Sequence, residues 1–316
     1  MAIVKPEQLD FSGKKFSMIL YGSPGVGKTT LALSAPNPLL IDFDRGISRV
    51  RANHRTASIQ STTYEEVLKD IASPEAKEYE TIVVDTGGSF VTFLQDWAIR
   101  TNPSQNQQKN GAISLKGFGA VKQEFVRFTN YVKDTLNKNL IFVFHSDEQK
   151  DKDGNPMQRL LCEGAARTIC WQPCDFGGYV QMVGDQRVIY FTPTSEFFAK
   201  GCFGIEGSYN IPVLKGNEPN NFLTNLFEVA KANIDTETKK EAPDKAQYEA
   251  IMAEVSAIVD AITTAEEATQ AASYIPTLEH VLTSKKESSA LLNQKCKKLG
   301  LKWDKTQKKY LPVIPA

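Results

Sequence analysis

Long hydrophobic runs are missing from this chain of 316 residues. None approaches the roughly 20 apolar residues that cross a bilayer. The opening MAIVKPEQLDFSG lacks the apolar centre and small-residue cleavage site of a secretory leader. A cytoplasmic chain with no membrane partner is expected. Cysteines are few and scattered, at 162, 170, 174, 202 and 296. They form no C-x2-C pair, which disfavours both a disulfide framework and a zinc ribbon and leaves buried, reduced thiols. Net charge is also lacking, with 37 basic against 37 acidic residues. A uniformly basic polyanion binder is thereby excluded. The distribution, however, is uneven. Residues 235–284 hold three basic and ten acidic side chains, whereas 285–309 hold nine and two.

What is present is an alternation of strands and helices. KFSMILYG, PLLIDFD, YETIVVDT and NLIFVFH are apolar runs of strand length. Between them, TTYEEVLKDIA carries a capping box from Thr63 to Glu66, and VKQEFVRFTNYVKDTL has helical spacing. Continuous apolar strands separated by helices predict a mainly parallel sheet covered on both faces. GGYVQMVGDQRVIYFT predicts an antiparallel edge hairpin through its Gly-Asp turn. The chain divides on this reading into an α/β domain over 1–234, a polar linker over 235–247, and a small all-helical module with a basic tail over 248–316. Two polar stretches, 101–119 and 146–159, read as loops.

One motif carries specific chemistry. Gly22, Ser23, Pro24, Gly25, Val26, Gly27, Lys28, Thr29 and Thr30 satisfy G-x4-G-K-[ST]. A strand precedes it and a helix follows, as a phosphate cradle requires. The glycines free backbone N–H groups for phosphate, Lys28 adds a point charge, and the Thr29 hydroxyl is placed for Mg²⁺. ATP and Mg²⁺ are the cofactors implied. Asp85 closes the strand TIVVD, where a carboxylate can support Mg²⁺. In LIDFDRG, Asp44 ends the second strand, over 38–44, and Asp42 and Asp44, two apart, point to the same face of it. Asp44 is the candidate base for the attacking water, and a turn cap is the alternative for either acid. His145 ends FVFH, either sensing a terminal phosphate or merely filling a strand end.

These motifs together resemble the RecA-like ATPase core. More narrowly, GSPGVGKTT, LLIDFDRG, YETIVVDT, LIFVFHSDEQKDKDG and CDFGGYVQM resemble phage-encoded RecA-like ATP-binding proteins of the single-strand annealing and recombination group. The resemblance covers roughly residues 13–230. It implies an ATPase acting on single-stranded DNA, in a host cytoplasm, as a ring or filament. A single-strand-binding or annealing protein is a further implied partner. On this resemblance Lys28, Asp44 and His145 are catalytic, with Asp44 where recombinases place glutamate and His145 where they place glutamine. The DNA loops fall on 101–119 and 146–168, with Lys109, Lys116, Phe118, Lys150, Lys152, Arg159 and Arg167. A basic residue reaching the neighbour's γ-phosphate falls on Lys200 or Arg187. Two other classes remain open: a small-molecule P-loop kinase, and a non-hydrolysing nucleotide switch recruiting a replication partner. In the tail, KKESSALLNQKCKKLGLKWDKTQKKY mixes lysines with Trp303 and Tyr310, which suggests either a nucleic-acid contact or a solvated helix face.

Overall fold

The computed structural model describes residues 11, 13–150, 152–162 and 169–313, without the side chains of 241 and 242. Contacts divide the chain between Asn233 and Ile234.

The first unit opens with β1 (Ser17–Gly22), which is buried throughout. There follow α1 (Lys28–Ala32), β2 (Pro38–Asp42), β3 (Ser58–Ile59) and α2 (Tyr64–Ile71). Thr63 and Glu66 close the capping box ahead of α2, as the sequence predicts. Next come β4 (Thr81–Asp85), α3 (Gly87–Thr101), α4 (Pro103–Asn106) and α5 (Leu115–Asn130). The remaining strands are β5 (Asn139–Lys150), β6 (Pro156–Leu160), β7 (Phe176–Val183), β8 (Gln186–Tyr190) and β9 (Ser208–Asn210). They form one sheet in the order β3-β2-β4-β5-β1-β7-β8-β9, with β6 paired to β5. From β3 to β7 every neighbouring pair is parallel. The β7–β8 and β8–β9 pairs are antiparallel. One strand, β5, therefore lies between the phosphate-loop strand and the strand ending in Asp85.

Apolar side chains decide this layering. Ile19, Tyr21, Ile41, Val84, Phe90, Phe125, Phe128 and Phe142 belong to one buried cluster between sheet and helices. Burying such a side chain is worth about 1.5–3 kcal/mol, which explains why the central strands contain almost no polar residues.

Three expectations change in this unit. Strand β2 stops at Asp42, and residues 43–44 form a turn, so the shared-face argument for Asp42 and Asp44 does not hold. Residues 101–119 are not one loop. Pro103 starts α4, and Ser114 caps α5 by accepting from Gly117 N. Residues 146–159 are a hairpin, with Ser146–Lys150 pairing to Pro156–Leu160. Its strands carry charge because they project past the core, where no apolar face is needed.

Helix α6 (Phe222–Ala261) begins in the first unit. Its start is tied to the end of α1, where Leu223 N donates to Ser34 Oγ and Thr224 Oγ1 donates to Ser34 O. The stretch 235–247 is helical within α6, with Pro243 inside it. Its Glu, Lys and Ala content favours helix more than its polarity favours a linker.

The second unit packs α6 residues Ile251, Val255 and Val259 with α7 (Ala265–Tyr274) and α8 (Ser284–Lys298) around Leu292, Cys296 and Tyr310. It is not wholly helical. β10 (Leu301–Asp304) and β11 (Lys309–Pro312) form an antiparallel hairpin. Asp304 turns it by accepting from Thr306 N and Gln307 N.

Candidate nucleotide site

The loop after β1 needs glycine for two reasons. Gly27 has φ 85°, in the left-handed region. At Gly22, a Cβ would lie 2.1 Å from the Val180 carbonyl oxygen on neighbouring β7. The loop is thus pressed against the sheet and ends in α1. Lys28 folds back over it, donating to Gly22 O at 2.9 Å and Ser23 O at 2.8 Å. Burial pulls the Lys28 ammonium down to about 8, while nearby Asp85 pushes it up. A lysine held this way gains a better partner when phosphate enters.

Thr29 Oγ1 donates to Asp85 Oδ2 at 2.6 Å. Burial raises the Asp85 carboxyl to about 6; the Thr29 hydrogen bond lowers it, and Asp44 and Asp42 raise it. Asp42 is a turn cap: its oxygens accept from Gly46 N at 2.6 Å and Ile47 N at 3.0 Å. Asp44 is exposed and accepts from Ser89 Oγ at 2.7 Å. His145 stands opposite Gly22 in the β1–β5 register. Its Nδ1 is buried with no hydrogen-bond partner. Burial, and then Lys28, hold its imidazole below the usual histidine range. The ring lines the cleft, with this unpartnered nitrogen buried.

These residues line one cavity of about 410 Å³, bounded by Pro24, Lys28, Thr29, Asp44, Asp85 and His145. The size suits a triphosphate. Among the described residues there is no group of three metal-ligating side chains. A hydroxyl, one carboxylate and phosphate oxygens are nonetheless a normal Mg²⁺ set. A second cavity, of about 450 Å³, shares Asp44, Thr86 and His145 and extends to Ser89, Thr92 and Leu161.

Arg49, which the sequence reading missed, also lines the first cavity. DRGISRVR offered a signal, since its arginines follow Asp44 directly. Two arginines of this region are structural: Arg51 donates to Leu214 O, and Arg55 to Val50 O and Ser48 O. Arg49 is exposed and faces the cleft.

The residues assigned to DNA and to a neighbouring subunit fall in different places. Lys150 and Lys152 are exposed at the β5–β6 turn, and Arg159 stands opposite Asp147 in that hairpin. Lys109 lies in a turn closed by the Gln107–Ile113 bridge. Lys116 is exposed in the first turn of α5, whereas Phe118 packs against the main core. This segment is fixed to the far part of α3, where Asn106 Nδ2 donates to Ala98 O. Ala98 is about 16 Å along α3 from its start, so the structure does not bring Lys109 and Lys116 to the cleft. Arg167 lies outside the described residues. Lys200 Nζ donates to Cys174 O within its own chain. The Arg187 guanidinium lies over its own phosphate loop, with Cζ 2.9 Å from where a Gly27 Cβ would stand.

A family model described as an AAA domain matches residues 14–203. The chain belongs to this AAA-domain family. The match spans the phosphate loop, Asp44, Asp85, His145 and the β7–β8 hairpin. The AAA domain, with its glycine loop between β1 and α1, is accordingly a P-loop ATPase fold. Among solved structures, it is similar to a KaiC-like protein from the hyperthermophilic archaeon Pyrococcus horikoshii OT3. That match has 12% identity and a TM-score of 0.36, and covers 62% of this chain and 89% of the other. No curated protein matches. No helix among the described residues is long and apolar enough to cross a membrane.

Proposed function

We propose that this AAA-domain protein hydrolyses ATP and uses the nucleotide state to grip single-stranded DNA, in phage recombination, repair or replication. One observation carries the reading. Strand β5 places His145 at the phosphate cleft and continues unbroken to Lys150, where it turns toward β6 and Arg159. The cleft and a hairpin bearing cations thus share one strand.

The residues divide the work. Backbone N–H groups of the glycine loop and Lys28 bind the β and γ phosphates. Thr29 Oγ1 and Asp85 would hold Mg²⁺, which supplies charge neutralisation when bound. Asp44, steadied by the Ser89 hydroxyl, orients the attacking water. His145 Nδ1 and Arg49 meet the terminal phosphate. Lys150, Lys152 and Arg159 neutralise nucleic-acid phosphates. A homo-oligomer, ring or filament, fits the resemblance. The test is ATP turnover with and without single-stranded DNA, alongside DNA binding with and without ATP. Stimulated turnover and tighter ATP-state binding are expected. Equal values in both comparisons overturn the reading.

A second reading, a small-molecule kinase, is favoured by the cavity beyond Asp44. Ser89 and Thr92 line it, and an acceptor hydroxyl could enter there. Phosphate transfer from ATP to nucleosides or nucleotides, without a DNA effect, would select it.

A further inference from the structure

The second unit gathers its basic residues at one end, where residues 285–309 hold nine basic and two acidic side chains. Lys297, Lys298, Lys302, Lys305, Lys308 and Lys309 are all exposed. Among the described residues none of them forms an ion pair. The acidic stretch before them therefore makes no direct ion pair with them among the described residues. Lys295 is the engaged member of the run, donating to Asp260 O. Lys297 and Lys298 sit in the last turn of α8, where cations suit the helix dipole. The four hairpin lysines have no such explanation.

The hairpin sorts its side chains by face. Trp303 stands opposite Tyr310, and Tyr310 is buried in the module core. Lys302 stands opposite Leu311, and Asp304 opposite Lys309, on the alternate face. The Trp303 ring packs edge-on to Tyr310 at 5.0 Å, yet the residue remains 37% exposed. An accessible indole surface therefore borders the lysine cluster. Asp304 is occupied by the turn amides.

We propose that this hairpin is a nucleic-acid contact independent of the ATP site, taking a single strand by phosphate neutralisation and base contact with Trp303. Mutual repulsion among these closely spaced, unpaired lysines is relieved by a polyanion, with release of its counterions. The indole suits a base, and with its exposed neighbours Leu299 and Val313 it still lacks the long apolar face of a membrane-surface helix. The inference goes beyond the ATPase reading, because it requires neither the cleft nor the β5–β6 hairpin.

The test uses the full chain and fluorescein-labelled oligo(dT) in an anisotropy titration without nucleotide, at several salt concentrations. The comparison variant combines Lys302→Gln, Lys305→Gln, Lys308→Gln and Lys309→Gln, with its melting curve checked against wild type. Wild type is expected to bind, and the variant to bind at least about tenfold more weakly, with a log–log salt slope shallower by about 3. Trp303→Phe, which keeps a ring against Tyr310, provides a second variant that leaves the lysines in place; it is expected to bind within a few-fold of wild type with an unchanged salt slope. Unchanged binding in the lysine variant overturns the proposal. So does wild-type binding that appears only with ATP, or tighter binding to vesicles of phosphatidylcholine and phosphatidylserine than to DNA. Loss of ATP-dependent binding alone strikes the β5–β6 reading and leaves this one standing.

Discussion

Thr29 Oγ1 donates to Asp85 Oδ2 at 2.6 Å, joining the end of the phosphate loop to the end of β4. The bond uses the hydroxyl proton and leaves the oxygen lone pairs for a cation. It also steadies a carboxylate that burial penalises. Asp85→Asn keeps an acceptor for Thr29 and removes the buried charge. ATP turnover should fall by about 10²–10³-fold, the scale of losing one electrostatic stabiliser in an active site. The melting temperature should be equal to or higher than wild type. A stable variant with normal turnover would remove Asp85 from the mechanism.

Arg187 lies over Gly27 of its own chain, and its Nε is buried without a partner. A contribution in cis follows. Arg187→Ala should raise the KM for ATP. Mixing it with a Lys28→Ala chain, which keeps Arg187, should not restore activity. Recovery in the mixture would show that Arg187 works across a subunit boundary instead.

His145 is held neutral by burial and by Lys28. A phosphate-sensing role for it would therefore use hydrogen bonding rather than charge. His145→Gln should retain DNA stimulation of ATP turnover, and His145→Ala should lose it while nucleotide affinity stays near wild type. Identical behaviour of the two variants would reduce His145 to a filler of the strand.

The cysteines offer a check on the core. Cys162, Cys170, Cys174 and Cys296 are buried, and Cys202 is half-buried. Burial raises the Cys174 thiol to about 12 and pushes Cys170 well above its usual value. A thiol reagent at pH 8 should label Cys202 first and the other four only on unfolding. The unfolded Cys174 thiol ionises from about 9, whereas the folded one keeps its proton until about 12. Stability should consequently fall as pH rises through that window, because the native state then holds more protons. Cys174→Ala should flatten that fall in a pH series of denaturant melts.

The cleft was legible where its chemistry follows apolar runs, although Asp44 lies in the turn beyond β2 and His145 lies within β5 rather than at its end. Lys28, Thr29 and Asp85 follow from a loop motif and an apolar run, both local patterns. Asp44 and His145 do line the cavity, but through a turn after β2 and a strand that runs on to Lys150, neither of which the apolar runs show. Arg49 was hidden because four arginines crowd residues 45–55 and only the fold tells which are spent on carbonyls. The β5–β6 hairpin was misread for a related reason: strands beyond the core lose the apolar signature by which strands are recognised. The same applies to β10–β11, a hairpin within a stretch that reads as an all-helical module with a basic tail. Separating Lys109 and Lys116 from the cleft required the course of α3, which no local pattern encodes.

The length of β5 has a mechanical meaning. From His145 to Lys150 the strand is continuous, about 17 Å of extended chain at 3.3 Å per residue. Paired along its base to β1 and β4 and at its tip to β6, it behaves as a lever clamped at one end. A tilt of a few degrees at the histidine becomes a displacement of an ångström or so at the lysine, with no hinge to absorb it.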